Sequence, residues 1–172
     1  MMKGSLIIFL LFVILFGSSA LGLVKKEFIP TSPRFEKAYA LYVIDGDTIE
    51  VKRSNSVGSA LENPLASVRL ICINAPEKNQ RGYGEAKQLL KTLVDKKEIL
   101  LEKDRSETDL YGRLLRYVWL RDVKGNPIRM ANAELARQGW VRWFPYGPDK
   151  KHCPEFQKLI ENAKKRHWGL WT

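Results

Sequence analysis

Apolar and polar positions along this chain alternate with two different periods, and the changes of period mark its elements. From Ala38, the run Tyr39-Ala-Leu-Tyr-Val-Ile44 is a strand candidate that breaks at Asp45-Gly46-Asp47. Thr48 to Arg53 alternates apolar with polar, as a half-buried strand does. Ser54 to Ala66 is rich in Ser, Gly, Asn and Pro and reads as a long mobile hairpin loop, followed by a strand from Ser67 to Ile73. Glu85 to Val94 puts Ala86, Leu89, Leu90, Leu93 and Val94 on one helical stripe. Short strands are expected over 97–103 and 114–121, with turn residues at Lys124-Gly125-Asn126. A small helix is expected over 132–138, with Asn132 able to cap it and Gly139 to end it. A last helix opens at Pro154, presents Phe156, Leu159, Ile160 and Ala163 on one face, and has Gly169 placed to stop it.

Three strands, a helix, two strands and two helices predict an α+β, mainly β domain: a five-stranded OB-type Greek-key barrel with three helices. Closing the barrel would remove its edge strands. The N-terminus is excluded from this fold. There Lys3 precedes the apolar run Leu6 to Phe16, and Gly17-Ser-Ser-Ala20 offers small residues for cleavage after Ala20. Apolar character resumes from Leu21 to Val24, making the run about long enough to span a bilayer. A cleaved signal peptide and an uncleaved membrane anchor both remain open, and either predicts a secreted or membrane-anchored protein whose domain acts outside the cytoplasm. The expected organisation is therefore a signal or transmembrane segment over 1–24, a linker with Pro30 and Pro33 over 25–37, and the domain over 38–172.

The 172 residues carry a formal charge of +10. That favours a polyanionic partner, nucleic acid or an anionic membrane surface, over which a merely soluble basic protein is the plain alternative. Two cysteines without a CxxC pair, and two histidines without an HExxH motif, point away from zinc. Cys72 reads as a small hydrophobe in a core strand, while a Cys72–Cys153 disulfide is open in an oxidising compartment.

Three polar clusters stand at the ends of strand-like runs: Asp45-Gly-Asp-Thr48, Arg69-Leu-Ile-Cys-Ile-Asn-Ala-Pro-Glu77, and Asp109-Leu-Tyr-Gly-Arg113. Taken singly, Asp-Gly is an ordinary turn and Arg113 an ordinary solvated turn residue. Arg69 is harder to dismiss, because Val68, Leu70 and Ile71 are apolar and its guanidinium must find solvent, a carboxylate or an anion. Two acids and an amide suit a hard divalent cation, and two arginines suit a phosphate. Together they predict a metal-dependent phosphodiesterase acting on nucleic acid.

In their order and spacing, Val43-Ile-Asp-Gly-Asp-Thr-Ile49, Val68 to Glu77, Thr108-Asp-Leu-Tyr-Gly-Arg113, Glu134-Leu-Ala-Arg-Gln-Gly139 and Trp168-Gly-Leu-Trp171 resemble the staphylococcal nuclease (thermonuclease) family over about 39–171. The resemblance implies an OB barrel with three helices and calcium-dependent endonucleolytic cleavage of DNA and RNA with low sequence specificity, leaving 3′-phosphates. It also suggests a monomer. By the same resemblance Asp47 is a direct metal ligand and Asp45 a supporting acid. Asn74 stands where a second aspartate is usual, the Ala75 carbonyl completes the metal site, and Glu77 is the general base. Arg69 and Arg113 bind phosphate, Tyr111 lies near the terminal phosphate, and Tyr146 falls where tyrosines pack on a base.

Asn74 departs from the family pattern and removes a formal negative charge from the cation site. Leu110 stands where a lysine often helps bind phosphate, and the loop from Glu77 to Tyr83 is short. Lys150, Lys151, Lys158, Lys164, Lys165 and Arg166 are either a guide for nucleic acid or a plain solvated face. The competing functions are a nucleic-acid-binding OB module without hydrolysis and a membrane-associated adaptor whose basic charge meets anionic lipid even without residues 1–24; the N-terminal segment, if uncleaved, is a separate route to the membrane.

Overall fold

The structure is a computed structural model that describes residues 35–54 and 64–172. Its elements run β1 Glu36–Val43, β2 Thr48–Arg53, β3 Leu65–Leu70, β4 Ile73–Asn74, α1 Tyr83–Val94, β5 Glu98–Glu102, β6 Leu114–Arg121, β7 Pro127–Met130, α2 Ala131–Arg137, β8 Arg142–Trp143 and α3 Cys153–Lys165, then a 3₁₀ turn at Gly169–Trp171.

Strands β3, β2, β1, β5 and β6 pair in that order, and β3 returns to pair with β6, so five strands close a barrel of the OB type. All neighbours are antiparallel except the closing pair, which is parallel. Alternation sends Ala38 and Ala40 of β1 inward until a bulge between Ala40 and Tyr42 shifts the phase and buries Val43 instead. β6 is buried along most of its length, because α2 packs on its outer side while its inner side fills the barrel. The stripe on α1 meets the core through Ala86, Leu90, Leu93 and Val94, with Leu89 half-buried beside it.

Three local expectations change. The apolar run into Ile73 is not one strand: Cys72 takes φ 66°, a left-handed conformation that ends β3 and turns the chain into β4. Asn132 is not a cap but a buried clamp. Its Oδ1 accepts from the Val118 amide at 3.0 Å and its Nδ2 donates to the Ile71 carbonyl at 3.0 Å, which ties α2 to β6 and to this turn. Cys72 is not merely a small hydrophobe either, since it forms a disulfide with Cys153 at the start of α3, with Cα atoms 5.3 Å apart.

The signal or transmembrane character expected of the chain is corrected here. Among the described residues no helix is long and apolar enough to cross a membrane. The 13 residues of α3 reach only about 20 Å, short of a hydrocarbon core of about 30 Å. The segment on which that expectation fell, 1–24, lies outside the described residues, as do 25–34 of the linker and 55–63 of the hairpin loop.

Candidate active site at the barrel rim

Three adjacent strands deliver their polar residues to one rim. Thr48 of β2 is paired in register with Arg69 of β3. Arg69 is in turn paired with Leu115 of β6, which places Arg113 beside it just before that strand begins. Asp47 therefore enters β2, Arg69 leaves β3 and Arg113 enters β6 at the same end of the barrel. The turn at Cys72 folds Asn74 back over them. Gly46 lets the Asp45–Asp47 loop sit flush on the scaffold, since a Cβ there would come within 2.6 Å of the Ala75 Cβ and 2.7 Å of the Ala86 Cβ.

Asp47 is the centre of the hydrogen-bond network. Its Oδ2 accepts from the Ala75 amide at 2.6 Å and lies 3.1 Å from Arg69 Nη2, while its Oδ1 accepts from Thr48 Oγ1 at 3.0 Å. The Asp47 amide in turn donates to Asp45 Oδ1 at 3.0 Å. Burial pushes the Asp47 carboxyl up to about 6, against the opposing pull of Arg69 and the Ala75 amide. Arg69 is partly buried beside it, and that burial draws its guanidinium below the ordinary value, which Asp47 partly offsets.

Arg69 resolves the puzzle of a charge in an apolar strand by turning its fork inward. Nη1 donates to the carbonyls of Leu70 at 2.7 Å and Ile73 at 2.8 Å, and Nη2 to Asn74 Oδ1 at 2.8 Å. Arg113 is held differently and more openly. Its Nε donates to Asp109 Oδ2 at 2.7 Å, Nη1 lies 3.4 Å from Thr48 Oγ1, and the guanidinium stands 5.4 Å from the Tyr111 ring centre. With 30% of its side chain exposed against 11% for Arg69, Arg113 is the cation an incoming anion meets first. Burial opposes the ionisation of Asp109, but the Arg113 guanidinium and the Arg113 and Tyr111 amides outweigh it and hold the carboxyl below its usual range.

A cavity of about 320 Å³ gathers Asp45, Asp47, Arg69, Asn74, Glu77, Tyr111, Arg113 and Tyr146 in its walls. Ala75, for which a carbonyl ligand is implied, meets the network through its amide instead. Glu77 is exposed, and its carboxylate has no hydrogen-bond partner among the described residues, while its amide is held by Gln80 Oε1 at 2.9 Å. Phe144 and Tyr146 line the cavity, and Leu110 forms an apolar lip that is 94% exposed.

Two contributors are absent from the roles read in the sequence. Asp109 positions Arg113, and Thr48 links the Asp47 and Arg113 halves. The spacing Asp109-x-x-Gly112 carried the signal for the first, because an Asp that accepts from amides two and four residues on is a turn device. Thr48 lacked one, being an ordinary strand residue by composition.

The donor chemistry fits a hard divalent cation. Asp45 and Asp47 supply carboxylate oxygens and Asn74 its amide oxygen, and burial raises the Asp47 carboxyl despite the Arg69 guanidinium beside it. Arg69 Nη2 already bridges Asp47 and Asn74, so a cation and this arm of the guanidinium address the same oxygens. Among the described residues there is no group of three or more His, Cys, Asp or Glu side chains able to hold a metal.

Fold and site thus define an OB-type barrel whose rim sets acids against guanidiniums in one cavity. The chain belongs to the staphylococcal nuclease homologue family, whose model matches residues 67–172. It is 31% identical to a thermonuclease of Staphylococcus intermedius over 147 residues, covering 82% of this chain and 79% of that one. It is likewise 31% identical to a thermonuclease of Staphylococcus hyicus over 144 residues, covering 80% and 77%. To protein ParB of Escherichia coli it is 33% identical over 133 residues, covering 76% and 69%.

Proposed function

We propose that this protein is a calcium-dependent nuclease that hydrolyses phosphodiester bonds of DNA and RNA with little sequence preference. The observation that carries the reading is the convergence of Arg69, Arg113, Asp47 and Glu77 on one cavity at the barrel rim. Family membership and the thermonuclease relatives support it. Low specificity follows from gripping phosphate, which every nucleotide carries.

Asp47 and Asn74 would hold the cation, with Asp45 supporting and the Ala75 amide fixing the Asp47 carboxylate. Bound there, calcium supplies Lewis-acid polarisation of a phosphoryl oxygen. Arg113 meets the phosphodiester at the cavity mouth, and Arg69 supports it from the cavity wall. Both stabilise the negative charge that grows on the equatorial oxygens as water adds. Glu77 takes a proton from that water, which its free carboxylate at the cavity wall allows. The phosphorus–O5′ bond breaks, the leaving oxygen gains a proton, and the products are a 3′-phosphate and a 5′-hydroxyl. Tyr111 lies near the terminal phosphate and Tyr146 packs on a base, both from the walls of the same cavity. Action outside the cytoplasm belongs to the same proposal, supported by the Cys72–Cys153 disulfide, which persists in oxidising compartments.

The test is degradation of single-stranded DNA by the full chain, with calcium and with chelator, beside Glu77→Gln. Cleavage that requires calcium and falls at least about 100-fold in the variant is expected. A second reading has an observation of its own. The neutral Asn74 and the inward-turned Arg69 would also suit a nucleic-acid-binding barrel without hydrolysis. Oligonucleotide binding without cleavage at any calcium concentration would select it.

A further inference from the structure

The basic C-terminal residues that the sequence leaves between a nucleic-acid guide and a solvated face are organised by two indoles. Arg142 of β8 is paired in register with Asn74, so the strand that carries it adjoins the cavity wall. Its guanidinium lies 5.4 Å from the Trp171 ring centre, and Lys164 Nζ lies 4.5 Å from the same ring. One step along, the Arg166 guanidinium lies 4.9 Å from the ring of Trp168, which is 45% exposed. Trp168 and Arg166 border a groove of about 400 Å³ whose other walls include Arg137 and Asn162.

These cations differ from three basic residues of β6 and of the approach to α3. Arg116, Arg121 and Lys151 each face a carboxylate: Glu107, Glu98 and Glu102 respectively. Arg142, Lys164 and Arg166 form no ion pair among the described residues, and Arg137 reaches Glu134 only at 4.0 Å. Charge kept on indole faces, with no carboxylate to neutralise it, preserves an attractive field for phosphate. An exposed indole beside a groove offers a stacking platform that a duplex, whose bases are already stacked, cannot use.

We propose that this face, from Arg142 through Trp171 and Lys164 to Arg166 and Trp168, is a second binding site for single-stranded nucleic acid. It holds the strand that leaves the catalytic cavity across β8. Phosphates meet Arg142, Lys164 and Arg166, and an unpaired base stacks in the groove against Trp168, with the Asn162 amide at its edge. Only the link to the cavity rests on the nuclease reading.

The experiment compares the full chain with Lys164→Glu/Arg166→Glu, Trp168→Ala and Trp168→Phe. Two substrates are used: a nitrophenyl diester of thymidine phosphate, which fills the cavity alone, and a 30-nucleotide oligothymidylate. Binding of the oligonucleotide is also read by fluorescence anisotropy in chelator. The charge-reversal variant is expected to keep kcat/KM for the short diester and to raise KM for the oligonucleotide about tenfold with kcat retained. It should also lower the slope of log Kd against log salt by about one to two. Trp168→Ala is expected to weaken oligonucleotide binding about tenfold and Trp168→Phe to restore most of it, as stacking requires. Oligonucleotide binding unchanged in the variants overturns the proposal. So does an equal loss on both substrates, or binding to phosphatidylserine vesicles that depends on these residues while oligonucleotide binding does not. If the wild-type chain cleaves neither substrate, the nuclease reading fails and the anisotropy still decides the site: binding lost in the variants supports it, and binding retained overturns it.

Discussion

Asn74 is the residue on which the candidate chemistry turns. Its amide oxygen accepts from Arg69 Nη2, and that nitrogen also lies 3.1 Å from Asp47. A guanidinium with one positive charge therefore stands where the resemblance puts a cation with two. An aspartate at this position would attract both, but the divalent ion gains twice the Coulomb energy at equal distance, so the balance shifts toward the ion. Asn74→Asp is thus expected to tighten calcium binding about tenfold, as read by isothermal titration calorimetry. Equal affinity in the two proteins would put Asn74 outside the ligand set. It would also remove the reason to connect this departure from the family pattern with the metal.

The elements are joined by a few buried polar contacts, and the one at the end of β5 sets an acid limit on stability. Glu102 is 2% exposed; its carboxylate receives Trp119 Nε1 at 2.7 Å, pairs with His152 Nε2 at 3.0 Å and meets Lys151 Nζ, so it ties the approach to α3 onto the barrel. Burial opposes its ionisation, but the His152, Lys151 and Trp119 hydrogen bonds outweigh burial and bring the carboxyl from its ordinary 4.5 to about 2. Because the folded value lies below the unfolded one, this stabilisation is present above pH 4.5 and is lost as pH falls through 2. Urea unfolding at pH 7, 4.5 and 2.5 should show wild type losing stability that Glu102→Gln never had, and parallel losses would contradict it. This contact was invisible in the sequence, because Glu102 and His152 are brought together only by the barrel. The same holds for β8, two residues long and paired across the fold with β4, and for the short β7 after the Lys124-Gly125-Asn126 turn. By contrast the alternation of β2, the stripe of α1 and the misfit of Arg69 in an apolar strand were legible, since each depends on near neighbours. Asn132 marks the boundary: its residue type proposed a cap, and only the tertiary fold makes it a clamp between β6 and the Ile71 carbonyl.

Across the whole molecule, the Cys72–Cys153 disulfide joins the site to the last helix. Cys72 occupies the left-handed turn between Arg69 and Asn74 and lines the cavity, and Cys153 begins α3, whose inner face packs Phe156 and Ile160 into the core. The bond spans 81 residues of sequence, which include α1, β5, β6 and α2. A loop of that length loses enough unfolded-state entropy on closure to stabilise the fold by about 4 kcal/mol. For a domain of this size that corresponds to about 15 °C in Tm. Adding a dithiol reductant, or substituting Cys72→Ala with Cys153→Ala, should therefore lower Tm by about that much. Below the new Tm, kcat for DNA cleavage should also fall, because the turn that sets Asn74 over Asp47 would lose its covalent tie and rest on hydrogen bonds alone, among them those with Asn132, Phe144, Arg116 and Arg69. The double variant separates the two effects. An unchanged Tm in reductant would mean that the pair is not closed in solution. A lowered Tm with kcat intact would mean that β4 and Asn132 hold the turn unaided, leaving the disulfide a purely structural tie.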